Sequence, residues 1–290
     1  MLFSFVIPSF NSRSSIQACL DSIQNQSLPD SEICVIDDGS VDSTAEFISK
    51  HYPRVYLVRN PENKGAAFSR NQGINTTAGE WIVFLDADAA LEKDFTECLK
   101  KTIQSLGPDY AGVTAKIKHR PTNRLFSCGL EITSLYRSHD VLKGKAASAV
   151  SAPFEVNGFN SCCAAIRRSC LDEVREKGMY FDEDFFFLFE DTDLSLRLKK
   201  RGYKFWFAPE LRCSHQGGSA PIDPQKRRFY SFRNRFYLII KNETNLRRFF
   251  LRSFFYDVPR TLHFYLTNPY ARQAQNDVLK KIQNEKNTHF

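Results

Sequence analysis

Apolar positions over the first 115 residues come in short runs, separated by stretches with helical spacing. Residues 2–7, Leu-Phe-Ser-Phe-Val-Ile, read as a buried strand, and Pro8, with no N–H to give, is expected to stop its ladder. Ile16, Cys19, Leu20 and Ile23 then share one helix face, with Asn11 or Ser14 as the expected cap. Glu32 to Ile36 is a second strand, ending in Asp37-Asp38-Gly39-Ser40. Ser43-Thr44-Ala45-Glu46 matches a capping box and opens a second helix. Val55 to Val58 is a short third strand, and the loop from Asn60 to Gly65 leads into a helix carrying Arg70 and Asn71. Trp81 to Leu85 is an unbroken apolar run that meets Asp86-Ala87-Asp88. A buried strand that ends in charge must set that charge at the sheet edge, where water or a cation reaches it.

Strands alternating with helices over short connections predict an α/β fold, a mostly parallel, Rossmann-like sheet flanked by helices. A helix over Asp94–Leu106 and a strand over Tyr110–Ala115 continue the alternation, whereas residues 116–155 show no clear period. Asn157 to Ile166 reads as a strand. A helix starts at Glu190-Asp191, carries Leu194 and Leu198, and ends at Gly202. Phe205–Phe207 is a last strand, and His215 to Ser219 reads as a loop. No Gly-x-Gly-x-x-Gly follows the first strand, which argues against a dinucleotide site.

Charge changes the picture at the C-terminus. The chain has 290 residues and a net charge of +7, yet residues 226–265 alone hold ten Lys/Arg against Glu243 and Asp257. Twelve Phe/Tyr interleave with them, and Phe229, Phe232, Phe236 and Ile240 share one helix face. A domain over 1–220 followed by a basic aromatic helical extension over 221–290 is expected. The extension reads either as a helical cap on the core or as a surface for anionic lipid. Basic plus aromatic character also fits single-stranded nucleic acid, but no recognised module is present and no nucleic-acid partner is expected. Eight cysteines without a Cys-x-x-Cys pair read as reduced thiols in a reducing compartment, with neither zinc nor a disulfide framework. The longest uncharged run is twelve residues, and the N-terminus shows no basic leader. A cytoplasmic protein, peripheral on the inner face of the membrane, is the expectation.

The chemistry gathers at strand ends. Asp86 and Asp88 offer hard oxygen ligands to Mg²⁺ or Mn²⁺. Asp37/Asp38 and Glu190/Asp191 are further acidic clusters, and His215 precedes a Gly-rich loop suited to a metal or phosphate contact. Each also has a plain reading: a solvated strand end for the Asp pairs, a helix N-cap for Asp191, a surface or core histidine for His215, a solvated face for Arg70.

Together the motifs resemble the family 2 glycosyltransferases, inverting enzymes of the GT-A fold, over about residues 3–220. Val6-Ile7-Pro8-Ser9-Phe10-Asn11 is similar to the family's opening strand and nucleotide loop. Val35-Ile36-Asp37-Asp38-Gly39-Ser40 is similar to its second-strand motif. Asn63-Lys64-Gly65 through Arg70-Asn71 resembles its loop and helix near the nucleotide, and Asp86-Ala87-Asp88 its metal motif. Phe189-Glu190-Asp191-Thr192-Asp193-Leu194 resembles its catalytic segment, and His215 with Gly217-Gly218-Ser219 its metal-proximal loop. Within the family the subgroup of bacterial rhamnosyltransferase-like enzymes is the nearest resemblance, with Arg233-Asn234 adding to it.

The resemblance implies transfer of a sugar from a UDP- or dTDP-sugar to a hydroxyl of a glycan or lipid-linked acceptor, in cell-surface polysaccharide synthesis. It implies Mn²⁺ or Mg²⁺ on Asp88 and His215, with Asp86 on metal or ribose. Pro8 and Phe10 would wall the base, and Asp38 would accept from its N3–H. Asn11, Lys64 and Ala87 would line the donor, and Arg70 would pair with phosphate. Asp191 would be the general base, beside Glu190, ionised by its helix N-terminus. Two other readings remain. A sugar nucleotidyltransferase calls for a Gly- and Lys/Arg-rich loop after the first strand, whereas Pro8 to Arg13 has no glycine and one basic residue. An inactive nucleotide- or glycan-binding module sits poorly with Asp86, Asp88, Asp191 and His215 all being present.

Overall fold

The computed structural model describes residues 2–27, 31–217 and 222–288. The chain divides into two compact units. The first comprises residues 1–131, 139–186 and 190–221; the second comprises 132–138, 187–189 and 222–290.

The first unit is built on one mixed sheet. In chain order its opening half runs β1 (Phe3–Ser9), α1 (Ile16–Gln24), β2 (Ser31–Asp38), α2 (Thr44–His51), β3 (Tyr56–Asn60), α3 (Ala66–Thr76) and β4 (Trp81–Leu85). Then follow β5 (Ala89–Leu91), α4 (Phe95–Ser105), β6 (Tyr110–His119), β7 (Arg124–Ser127), β8 (Leu130–Ile132) and β9 (Ser138–Asp140). The last part runs β10 (Phe154–Val156), β11 (Cys163–Arg167), α5 (Arg168–Glu173), α6 (Glu190–Lys200) and β12 (Lys204–His215). The order across the sheet is β10-β12-β6-β11-β4-β1-β2-β3. The β4-β1-β2-β3 block is parallel, as the short β–α–β connections require, while β11 enters antiparallel between β4 and β6. Val6, Ile36, Ile82 and Phe84 face one apolar layer, and Phe5, Ile7, Val35 and Val83 the other, so both sheet faces are covered.

Local chemistry departs from expectation at four places. Pro8 does not end β1, which pairs with β2 out to Ser9; β4 pairs only as far as Val6, so the strand beyond is one-sided and tolerates a residue without N–H. Neither Asn11 nor Ser14 caps α1: Asn11, at φ +49°, accepts from Val41 N at 2.9 Å and donates its own N–H to Ser40 Oγ at 2.8 Å, tying the loops after β1 and β2 together. The capping box at Ser43 does not form, because Ser43 is left-handed and Asp42 caps instead, accepting from Thr44 N and Arg13 N. The segment 157–162 is not strand; only Cys163–Arg167 joins the sheet.

The second unit contains α7 (Pro224–Asn242), α8 (Leu246–Thr267) and α9 (Ala271–Thr288). Asp223 caps α7, accepting from Gln225 N and Lys226 N. Phe229 packs with Phe264, Ala271 and Ala274, and Phe232 stacks on Phe264 with centroids 4.1 Å apart. The aromatic face expected on α7 is therefore used inside this unit. Asn234, fully buried, donates to Phe187 O at 2.9 Å and Leu188 O at 2.7 Å, where Leu188 and Phe189 are left-handed.

Candidate active site

Three strand ends and one helix start position the site. Asp86, Ala87 and Asp88 leave the C-terminal end of β4, where the buried run stops. The three-residue strand β5 follows at once and pairs antiparallel with the end of β12, setting Ala89 opposite His215. This ladder brings Asp88 and His215 together: His215 Nε2 lies 2.9 Å from Asp88 Oδ1 and 3.8 Å from Asp86 Oδ2. Gly217 N donates to the other oxygen of Asp88 at 3.2 Å. Of the expected Gly-rich loop, Gly218 and Ser219 lie outside the described residues.

His215 is buried, and its Nδ1 has no hydrogen-bond partner among the described residues, while Phe126 packs edge-on against the ring at 4.5 Å. Burial opposes charging of the ring, but the Asp88 bond and the Asp86 charge outweigh it and raise its pKa. Burial raises the pKa of the Asp86 carboxyl, with Arg70 and His215 pulling the other way. One imidazole nitrogen with a carboxylate oxygen of Asp88 at 2.9 Å and of Asp86 at 3.8 Å makes a hard O/N donor set of the kind that Mn²⁺ or Mg²⁺ takes. The structure adds a residue that no sequence motif marks. Cys162, whose carbonyl accepts from Asp86 N at 3.0 Å, shares a group with Asp86 and His215 whose ligand atoms lie within 4.8 Å of one another.

Arg70 is not a solvated face residue. It is buried, donating Nη1 to Glu190 Oε1 at 2.7 Å and Nη2 to Asp86 Oδ1 at 3.0 Å. One guanidinium thus links the β4 acidic end to the α6 acidic start. Its neighbour Asn71 clamps the segment before α6, donating to Phe181 O at 2.9 Å and accepting from Phe181 N at 2.8 Å.

Asp191 is the second residue of α6. Ser161 N donates to Asp191 Oδ2 at 3.2 Å and Thr192 N to Oδ1 at 2.7 Å. Those bonds do not keep it ionised as a helix start alone would: burial, and next the Glu190 charge, push its pKa up to about 7.

Asp38 lies deep at the end of β2, and the chain's own groups occupy its carboxylate. Asn60 Nδ2 donates at 2.8 Å, Gly65 N at 2.8 Å and Lys64 N at 3.1 Å. These bonds close the Asn60–Gly65 loop against α3. Gly65 begins α3 at φ +91°, and a Cβ there would come within 2.5 Å of Phe186 O. The Lys64 side chain is exposed, its Nζ 4.8 Å over the Phe68 ring. Pro8 and Phe10 are half-buried beside β2, and Ala87 is buried between the two site aspartates. The structure therefore joins Asp86, Asp88, His215, Arg70 and Glu190 through direct contacts; Asp191 adjoins Glu190, and Asp38 organises a separate loop.

Over 107 residues the chain is 41% identical to a chondroitin synthase of Pasteurella multocida, covering 36% of this chain and 11% of that protein. Glycosyltransferase AglE of Haloferax volcanii is 33% identical over 114 residues, 38% of either chain. The chain thus spans well under half of these relatives. Among solved structures, S. aureus TarS 1-349 in complex with UDP-GlcNAc superposes with a TM-score of 0.61 at 19% identity, covering 97% of this chain and 82% of that one. Mannosyltransferase PcManGT from Pyrobaculum calidifontis, in complex with GDP-Man and Mn²⁺, gives 0.57 at 19% identity, covering 96% and 74%. At these identities the structures establish a shared GT-A fold. The model of the family described as glycosyl transferase family 2 matches residues 4–175, more than half of the chain. On that match the chain belongs to glycosyl transferase family 2.

Proposed function

We propose that this chain is an inverting glycosyltransferase. It moves a sugar from a UDP- or dTDP-sugar to a hydroxyl of a glycan or lipid-linked acceptor. The observation that carries this reading is the Arg70 bridge, which ties Asp86, beside Asp88 and His215, to Glu190, beside Asp191. Leaving-group and nucleophile chemistry need separate groups held at fixed spacing.

Asp88 and His215 hold Mn²⁺ or Mg²⁺, with Asp86 beside them, and the cation supplies Lewis-acid neutralisation of the leaving diphosphate. Pro8, Phe10, Asn11, Lys64 and Ala87 line the donor side, and Asp38 shapes it through the Asn60–Gly65 loop. Asp191 takes the acceptor proton. A carboxyl brought to about pH 7 by burial is a better base at neutral pH than an ordinary aspartate. Ser161 orients it; burial first and the Glu190 charge next raise its affinity for a proton, while Arg70 opposes them. Single displacement from the face opposite the diphosphate inverts the anomeric centre.

The UDP-GlcNAc complex of TarS supports a uridine donor, and the chondroitin and hyaluronan synthases of Pasteurella multocida, each 41% identical over 107 residues, support a polysaccharide product. Arg233-Asn234 supports the narrower rhamnosyltransferase-like assignment. A lipid-linked acceptor puts the enzyme on the cytoplasmic face of the membrane as a peripheral protein. The test is release of nucleoside diphosphate from a panel of nucleotide sugars, with Mn²⁺ and with EDTA. Release from a uridine or thymidine donor only with metal supports the reading. Pyrophosphate release from a nucleoside triphosphate and sugar phosphate, or no turnover of any donor, overturns it.

A further inference from the structure

We propose that the outer face of α8 seats in the interfacial layer of an anionic lipid bilayer. This extends the membrane part of the proposed function but stands on the helix face alone, within the second unit. Phe250, Leu251, Phe254, Phe255, Val258, Leu262, Tyr265 and Leu266 are exposed large apolar side chains on a single helix. Phe255 is 88% exposed, Leu266 76% and Leu251 73%. At helical periodicity all eight fall within one arc of about 160°. The opposite side is the packed one: Phe249, Ser253, Asp257 and Phe264 are buried. A patch of this extent on a helix whose other face is already packed marks an interaction surface.

Charge selects the occupant. Residues 222–290 hold fourteen Lys/Arg and five Asp/Glu. All five acids are engaged within the unit: Asp257 with Arg235, Asp277 with Arg233, Glu285 with Lys281, Asp223 at the α7 cap, and Glu243 with Asn245 N. Lys226, Arg227, Arg247, Arg260, Arg272 and Lys280 are exposed. The outward charge of the unit is therefore cationic, which favours acidic headgroups and sets a second copy of this chain against itself. Leu251, Val258, Leu262 and Leu266 offer no ring on which a base stacks, so the face does not suit single-stranded nucleic acid. No helix among the described residues is long and apolar enough to cross a membrane. A helix with an apolar arc and cationic surroundings lies in the plane of the surface instead.

The test is sedimentation of the full chain with vesicles of phosphatidylcholine alone or phosphatidylcholine with phosphatidylglycerol. Binding to the anionic vesicles, weakened by salt, is expected. The double variant Phe255→Asp, Leu266→Asp changes two exposed positions and should lower that binding at least tenfold, with circular dichroism and melting temperature unchanged. Equal binding by the variant, binding to neither vesicle, or a wild-type dimer in light scattering that the variant abolishes would each overturn the proposal. UDP binding is measured on the same samples. A failed vesicle result with intact UDP binding rejects the lipid face and leaves the donor reading standing, and the reverse result rejects the donor reading alone.

Discussion

Arg70 Nη1 donates to Glu190 Oε1 at 2.7 Å, joining two buried side chains 120 residues apart. With its second nitrogen on Asp86, this arginine holds in one geometry the strand end and helix start that the proposed reaction uses.

Arg70→Ala leaves Glu190 buried without its cation, and removing one partner of a buried pair destabilises by about 3–5 kcal/mol. Urea unfolding is expected to show a loss of that order. Arg70→Lys keeps the charge but has no planar fork to reach both carboxylates, so its stability should lie between the two. Stability of Arg70→Ala equal to wild type would remove the bridge from the account.

The pH dependence of turnover should report Asp191. A base with a pKa of about 7 gives a kcat/KM that rises through neutrality and levels off above it. Stability moves the other way. The folded-state pKa is raised above the unfolded one, so this group's contribution is fully present in acid and is lost as pH rises through about 7. Asp191→Asn should therefore match or exceed wild-type stability at pH 8 while losing about 10²–10⁴-fold in turnover. Denaturation midpoints at pH 5 and pH 8 check the sign.

Gly65→Ala should destabilise by about 1–3 kcal/mol, because a left-handed φ and a Cβ 2.5 Å from Phe186 O cannot both be relieved without moving the loop. UDP affinity should fall with it, since Gly65 N is one of the donors that fix Asp38. Urea midpoints and UDP titration read the two effects.

Cys162 brings a soft ligand to a hard site. Zn²⁺ and Cd²⁺ should inhibit Mn²⁺-supported turnover of the wild type, and Cys162→Ala should relieve that inhibition. Identical inhibition curves for the two proteins would separate Cys162 from the metal group.

Much of this architecture was legible in the sequence, for identifiable reasons. The strands around Val6, Val35 and Val83 are short, apolar and fully buried, so composition and length alone reveal them. The acidic ends of β2, β4 and the start of α6 are visible because charge interrupts those apolar runs. The strand β12 was harder. Its apolar run stops at Phe207, yet the strand continues to His215 past an irregular register between Ala208 and Arg212, where Pro209 sits. Without that continuation His215 reads as a loop residue, and β5, only three residues long, carries no period of its own. The contacts of Arg70 and Cys162 escape a sequence reading for a different reason. Their partners, Glu190, Asp86 and His215, are brought to them by strand order, and no local pattern encodes that order.

In the proposed reaction one group holds the leaving nucleotide and another takes the acceptor proton. The most direct test of that separation is UDP titration in Mn²⁺ on wild type and Asp191→Asn, with transfer measured on the same preparations. The account predicts a UDP dissociation constant within about threefold of wild type alongside the 10²–10⁴-fold loss of transfer. A loss of UDP affinity as large as the loss of transfer would contradict it.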